Sequence, residues 1–296
     1  METIGVIGLG NMGKPMARRL MQAGYTVVVH SRSREPVEEV VDLGAAEAPT
    51  PHDLALNANV IITSLPDSRA VELVCLEQNG IREGARQNTV LIDTSTIDPE
   101  TSRKIASVLG QRGVEMLDAP VSGGQAGAIA GTLSIMVGGP EAAFNRVLPI
   151  LKHLGRTITH MGPAGTGLMT KLANQIIVAA NYVAIAEGLA LGVKAGLDPA
   201  NLVQALEGEL AQSRCLELKG DRITSGNYEP TGRLTLHIKD LYYALQTARV
   251  LGVPLPMTSI VYQCFEAANA AGRGNWDHSA VVTLYEDLAG VNIRKL

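Results

Sequence analysis

Aromatic side chains are nearly missing from this chain: one tryptophan, two phenylalanines and seven tyrosines stand among 296 residues. Large rings therefore cannot build the core. It must come from small aliphatic side chains and close backbone contacts, and the 31 glycines and 46% hydrophobic content fit that requirement. Cysteine is sparse too. Cys75, Cys215 and Cys264 are far apart and odd in number, which excludes a metal or redox motif and points to a reducing cytoplasm. No large excess of either charge exists: a net charge of −4 offers no electrostatic basis for binding nucleic acid or an anionic membrane. The N-terminus runs straight into a strand and leaves no room for a signal peptide. The uncharged run Leu172–Ala186 is too short to span a bilayer, and Asn174, Gln175 and Asn181 interrupt it. What remains is a globular chain long enough for two domains.

One absence is local. Between Thr157 and Ala186 a single side chain carries a formal charge, Lys171, inside a stretch with the look of a long buried helix. An unpaired buried ammonium is costly and rare without a partner or a purpose. Burial also lowers a lysine's proton affinity, which suits it to proton transfer. Lys171 is the first candidate for a catalytic group.

The N-terminal half alternates strands and helices. The run Thr3–Ile7 leads into Gly8-Leu9-Gly10-Asn11-Met12-Gly13, then an amphipathic pattern over Pro15–Ala23 and a second strand at Val27–Val29. Strand, glycine turn, helix and strand form the context a dinucleotide fingerprint requires. Gly8 permits the tight turn, Gly10 admits a pyrophosphate and Gly13 lets the helix pack close, although an ordinary βα turn reads the same way in isolation. The second strand ends in His30-Ser31-Arg32-Ser33-Arg34, without the carboxylate that favours NAD. Either Arg32, with Ser31, pairs with a 2′-phosphate, which favours NADP(H) with NAD(H) still accepted, or Arg32 is a solvated loop residue. Further strands near Val60, Val90 and Glu115 imply a mostly parallel sheet with ligands beyond its carboxyl edge. Leu65, Pro66 and Thr96 occupy such strand ends, as cofactor-lining residues or as plain loop chemistry. After the strand ending at Leu117, the segment Ser122-Gly123-Gly124 exposes backbone N–H groups beside a hydroxyl. That suits a substrate carboxylate, or else it is a flexible loop running on to Gly131.

From Gly162-Pro163 the pattern turns helical. A helix over about 167–195 is apolar on nearly all sides. Lys171, Asn174 and Gln175 share one face of it, with Asn181 and Tyr182 further along. Such a stripe meets water, ligand or partner, or is a buried hydrogen-bonded network. Helices follow over Ala200–Glu207, Leu234–Leu251 and Thr258–Ala271, and Asp277 or His278 caps the last one. By position alone Lys239 and His278 read as solvated surface residues. The expected fold is therefore an α/β, doubly wound Rossmann-type sheet over 1–163 and an all-α domain over 164–296, joined by the long helix.

Four segments, Gly5–Ala17, Asp118–Gly124, Gly165–Asn174 and Ile238–Asp240, resemble the β-hydroxyacid dehydrogenase family across essentially the whole chain. Leu236–Leu241 and Gly274–Ala280 are most similar to members that reduce tartronate semialdehyde. The resemblance implies an NAD(P)-dependent oxidoreductase without a metal. Lys171 would be the general acid/base, Asn174 would share the reacting oxygen, and Ser122, Gly123 and Gly124 would hold the substrate. Lys239 would reach the cofactor from the helical domain. It also implies a site between domains and a homodimer or homotetramer formed through the helical part. The expected substrate is a small carboxylated aldehyde or hydroxy acid, tartronate semialdehyde first. Alternatives are 3-hydroxyisobutyrate, succinic semialdehyde and a threonate-like acid, the choice set by 210–216 and 276–279. A non-catalytic nucleotide-binding scaffold is the remote alternative. Ser31 departs from the family, where many members carry an acidic residue before the arginine.

Overall fold

Short apolar runs separated by amphipathic segments can bury themselves only by pairing edge to edge and being covered on both faces. The computed structural model, which describes residues 2–208 and 210–294, shows this in the first of two units, Met1–Lys171. Its strands are β1 (Thr3–Ile7), β2 (Thr26–His30), β3 (Ala46–Glu47), β4 (Val60–Thr63), β5 (Val90–Asp93), β6 (Glu115–Asp118), β7 (Val121–Ser122), β8 (Leu133–Gly138) and β9 (Gly155–Gly162). They form one sheet in the order β3-β2-β1-β4-β5-β6-β8-β7, with β9 paired to β8. Pairing is parallel from β3 through β6 and between β8 and β9, while β8 runs antiparallel to β6 and β7. The helices are α1 (Gly13–Gln22), α2 (Arg34–Val41), α3 (Pro51–Asn57), α4 (Ser68–Leu76), α5 (Ile81–Gly84), α6 (Pro99–Gly110), α7 (Gly124–Ala130) and α8 (Glu141–Leu151). Alternate strand residues feed separate cores: Ile4, Val6, Val29, Ile62 and Ile92 on one face, Ile7, Val28, Ile61 and Leu91 on the other. The alternative of a flexible loop running on to Gly131 does not hold: the segment is α7, closed by Gly131 in the left-handed conformation.

The second unit, Leu172–Leu296, is helical. Helix α9 (Thr166–Lys194) starts in the first unit and continues into the second, where α10 (Pro199–Glu207), α11 (Arg214–Thr224), α12 (Leu234–Leu251), α13 (Pro256–Ala268) and α14 (Val282–Ala289) follow. Asp198 and Ser213 cap α10 and α11, and Asp277 caps the short turn His278–Val281 that leads into α14. Helix α9 has 29 residues and a mean hydropathy of 1.9 over its most apolar window, so length and composition alone would let it cross a bilayer. The uncharged run Leu172–Ala186, by itself too short to span, is only the middle of this longer helix. Its residues Ala179, Tyr182, Val183, Ala186, Leu189 and Ala190 are core residues of the second unit, so the apolarity serves packing.

Buried polar groups gather at the carboxyl edge of the sheet. Asp93, at the end of β5, accepts hydrogen bonds at Oδ1 from the Thr63 hydroxyl (2.8 Å) and the Ser95 N–H (3.1 Å). Burial pushes its carboxyl up to about 6 against those bonds, with the nearby Asp118 charge adding to the rise. The folded state thus holds this proton more tightly than the unfolded chain. The stabilisation is full below about pH 4 and is lost as pH rises through about 6. Urea unfolding from pH 4 to 8 should therefore show Asp93→Asn gaining on wild type by roughly 2–3 kcal/mol across that range. A constant difference would contradict the shift.

Candidate active site

The glycine turn after β1 separates three glycines by physical role. Gly8 adopts φ 92°, and a Cβ there would lie 2.4 Å from the Ser64 carbonyl oxygen. At Gly13 a Cβ would stand 1.8 Å from the Gly8 carbonyl oxygen, so α1 can start this close to the strand only without a side chain. A Cβ on Gly10 meets nothing within 4 Å. Gly10 therefore opens the surface while the other two close the turn. Leu9 is buried, Met12 half-buried and Asn11 exposed. No side chain caps α1 at Met12, although the Lys14 N–H already donates to the Gly10 carbonyl oxygen at 3.1 Å and Pro15 has none, so an anion would meet the α1 N-terminal dipole over the open glycine turn. The residues present thus fit a dinucleotide pyrophosphate. Ser31 accepts at Oγ from the Leu9 N–H at 3.5 Å and ties the end of β2 to the turn. Arg34 is committed to Glu38 and Glu47, whereas Arg32 is exposed and makes no ion pair among the described residues. At the neighbouring strand ends the Ser95 hydroxyl accepts from the Leu65 N–H at 2.8 Å. Leu65 and Thr96 are half-buried, and Pro66 is exposed.

Asp118 organises the other side of this unit. It ends β6 at 1% exposure, and its carboxylate accepts from the Gly165 N–H (2.6 Å) and the Leu168 N–H (2.9 Å). Burial raises its carboxyl above the usual range, opposed by these backbone bonds. One carboxylate thus satisfies the start of α9, the helix that carries Lys171 one turn later at 7% exposure. Asp118 also opens the segment reaching Ser122, which pairs with Ser134 across β7 and β8, and Gly123 and Gly124, which have φ 129° and 60°. The lysine's helix and the Ser-Gly-Gly segment are therefore tied to one anchor.

In the second unit the polar stripe of α9 is a hydrogen-bonded network. The Asn174 amide donates to Gln175 Oε1 at 3.0 Å, and the Gln175 amide donates to Asp240 Oδ2 at 2.7 Å. Lys239 lies 3.0 Å from Asp240 Oδ1 as an ion pair outside directional hydrogen-bond geometry, with its ammonium 5.0 Å from the centre of the Tyr243 ring. Neither Lys239 nor His278 is a solvated surface residue: the Lys239 side chain is 19% exposed, and His278 Nε2 is 3.1 Å from the hydroxyl of buried Tyr182. His237 joins this constellation without having stood out in the sequence, whereas Gln175 lay on the polar face of α9 and Asp240 ended a family-like segment, neither with a named partner. The signal for His237 was its place three positions before Asp240 on a largely apolar helix, a spacing that names no partner. Asp118 was visible only as the first residue of a motif. Among the described residues no cluster suited to a metal ion occurs.

A strand–glycine turn–helix unit at the start of a mostly parallel sheet is the arrangement of dinucleotide-binding proteins. Comparison with known proteins narrows this. A family model described as the NAD binding domain of 6-phosphogluconate dehydrogenase matches residues 3–162, and one described as NAD-binding of NADP-dependent 3-hydroxyisobutyrate dehydrogenase matches 165–285. The chain is 42% identical to 2-hydroxy-3-oxopropionate reductase of Escherichia coli (strain K12), covering 97% of this chain and 98% of that one. It is 38% identical to 2-(hydroxymethyl)glutarate dehydrogenase of Eubacterium barkeri, covering 98% and 97%. A structure of Mycobacterium tuberculosis 3-hydroxyisobutyrate dehydrogenase with L-serine superposes with a TM-score of 0.86 at 30% identity, covering 96% and 98%. The chain belongs to the β-hydroxyacid dehydrogenase family, and it is an NAD(P)-dependent oxidoreductase acting on hydroxy acids.

The glycine geometry makes a paired prediction. Gly10→Ala should keep the wild-type Tm yet weaken nicotinamide-nucleotide binding at least about tenfold, because its methyl enters the open face. Gly13→Ala should cost about 1–3 kcal/mol of stability by overpacking. Thermal melts and cofactor titration distinguish the two, and equal melting losses would refute the separation of roles.

Proposed function

We propose that this enzyme reduces tartronate semialdehyde (2-hydroxy-3-oxopropionate) to glycerate reversibly, with NADPH preferred and NADH accepted. The observation that carries the reading is the common anchor of Lys171 and the Ser122-Gly123-Gly124 segment at Asp118. A proton-transfer group on a helix capped by Asp118 and an anion-binding loop that follows Asp118 in the chain suit a substrate with a carboxylate beside a reacting carbonyl. The bound nicotinamide supplies the hydride. Ser122 and the Gly123 and Gly124 amides hold the substrate carboxylate. Asn174 hydrogen-bonds the reacting oxygen, and Lys171 protonates it as charge develops there. In the oxidative direction Lys171 must be neutral to take the proton, so that rate rises with pH. Lys239 contacts the cofactor. The 42% identity to a 2-hydroxy-3-oxopropionate reductase supports the substrate, and the 38% identity to a dehydrogenase of a branched dicarboxylate favours a bulkier hydroxy acid as the second reading.

The preference for NADPH is supported by Arg32, exposed and without an ion pair among the described residues, while Arg34 is engaged by carboxylates. Leu9 to Gly13 would cradle the pyrophosphate, with Leu65, Pro66 and Thr96 along the remaining cofactor edge. The same reading makes the protein a cytoplasmic homodimer or homotetramer, to which exposed apolar residues such as Leu191, Val250 and Ile260 of the helical unit would contribute.

Initial rates with both cofactors across a panel of small semialdehydes test the substrate. Faster turnover of succinic or methylmalonic semialdehyde would overturn it. Lys171→Ala should lower turnover by roughly 10²–10⁴ with cofactor binding intact, and normal turnover would remove the lysine from the mechanism. Arg32→Ala should weaken NADPH binding at least about tenfold while leaving NADH nearly unchanged, as expected for loss of one charge-assisted phosphate contact. Equal losses would refute a 2′-phosphate contact.

A further inference from the structure

Asn174 is one residue from Gln175 on α9, yet which way its amide points is decided on α12. A carboxylate only accepts hydrogen bonds, so the Asp240 oxygen 2.7 Å from Gln175 requires the –NH₂ end of that amide. The Gln175 carbonyl oxygen then faces the other way, and the group 3.0 Å from it must be the –NH₂ of Asn174. One fixed acceptor thus sets two amide orientations in succession, removing the ambiguity between oxygen and nitrogen that an isolated amide carries. Asp240 is itself 6% exposed and held beside the Lys239 ammonium. A second bond locks the register: His237, 2% exposed, places Nε2 3.0 Å from the Gln175 backbone oxygen, which can only accept. Side chain and backbone of Gln175 are therefore clamped to α12 by bonds of opposite polarity.

We infer that Gln175 and Asp240 are positioning residues that orient the Asn174 amide, an inference that rests on the reading of Asn174 as a substrate-contacting group. With one N–H committed to Gln175, Asn174 keeps its carbonyl oxygen and second N–H for the reacting oxygen. Neither Gln175 nor Asp240 touches substrate. Loss of Gln175 lets the Asn174 amide rotate between its two near-isosteric faces and so weakens the productive one.

A double-mutant cycle on kcat/KM for the carbonyl substrate, at saturating cofactor, reads this directly. Gln175→Leu should lower kcat/KM about 10- to 100-fold in the wild-type background and less than about twofold in an Asn174→Ala background. Equal factors in both backgrounds, or no loss in the first, would overturn the relay while leaving Asn174 in the site. Undiminished kcat/KM in Asn174→Ala alone would instead overturn the reading of the site itself. Should Gln175→Leu fail to fold by thermal melt, a charge swap decides. Gln175→Glu alone sets two carboxylates face to face. Adding Asp240→Asn restores a donor opposite Glu and leaves an acceptor facing Asn174. Recovery of at least about tenfold in kcat/KM over the single variant supports the relay, and no recovery overturns it.

Discussion

The carboxylate of Asp118 is the constraint on which the first unit's candidate site depends. A charge at 1% exposure is expensive, and its raised proton affinity reports that cost. The cost is offset because Asp118 accepts from two N–H groups that the start of a helix would otherwise leave unsatisfied. Such charge-assisted bonds contribute roughly 1.5–3 kcal/mol each. The helix secured this way carries Lys171, and the strand that ends at Asp118 continues to Ser122. The Asp118 carboxylate thus fixes the helix of Lys171, while pairing with Ser134 on β8 fixes Ser122 four residues further along the chain.

Scarcity of aromatic residues makes this arrangement possible. With few rings to keep elements apart, backbones approach until only hydrogen atoms fit between them. A Cβ on Gly167 would lie 2.3 Å from the Met136 carbonyl oxygen and 2.6 Å from that of Asp118, so the first turn of α9 rests directly on β6 and β8. At Gly13 the first turn of α1 rests on the glycine loop in the same way. Both helix starts are seated by close backbone contact, which a Cβ at Gly13 or Gly167 would break.

Much of this was legible in the residues. Alternating apolar runs announced the strands, the spacing of Gly8, Gly10 and Gly13 announced the turn, and an uncharged stretch announced α9 within a residue of its ends. These signals are local: each depends on a period or a backbone requirement contained in a few neighbouring residues. The antiparallel return of β8 was not legible, since it depends on the strands that the fold places alongside, while the short glycine-rich helix α7 lacks an apolar period long enough to announce it.

Polar residues on α9 show where that division falls. The sequence by itself determined that Lys171, Asn174 and Gln175 share a helix face, because 3.6 residues per turn leaves no other outcome. It also determined that the start of β1–α1 opens toward an anion, because only glycine tolerates φ 92° at position 8. Only the tertiary structure decided that Asp118 satisfies the start of α9, that Gln175 meets Asp240, and that His278 is held by buried Tyr182 rather than by water. A buried polar group must find its partner wherever the fold brings one, and partners 50, 65 and 96 residues apart leave no trace in local pattern.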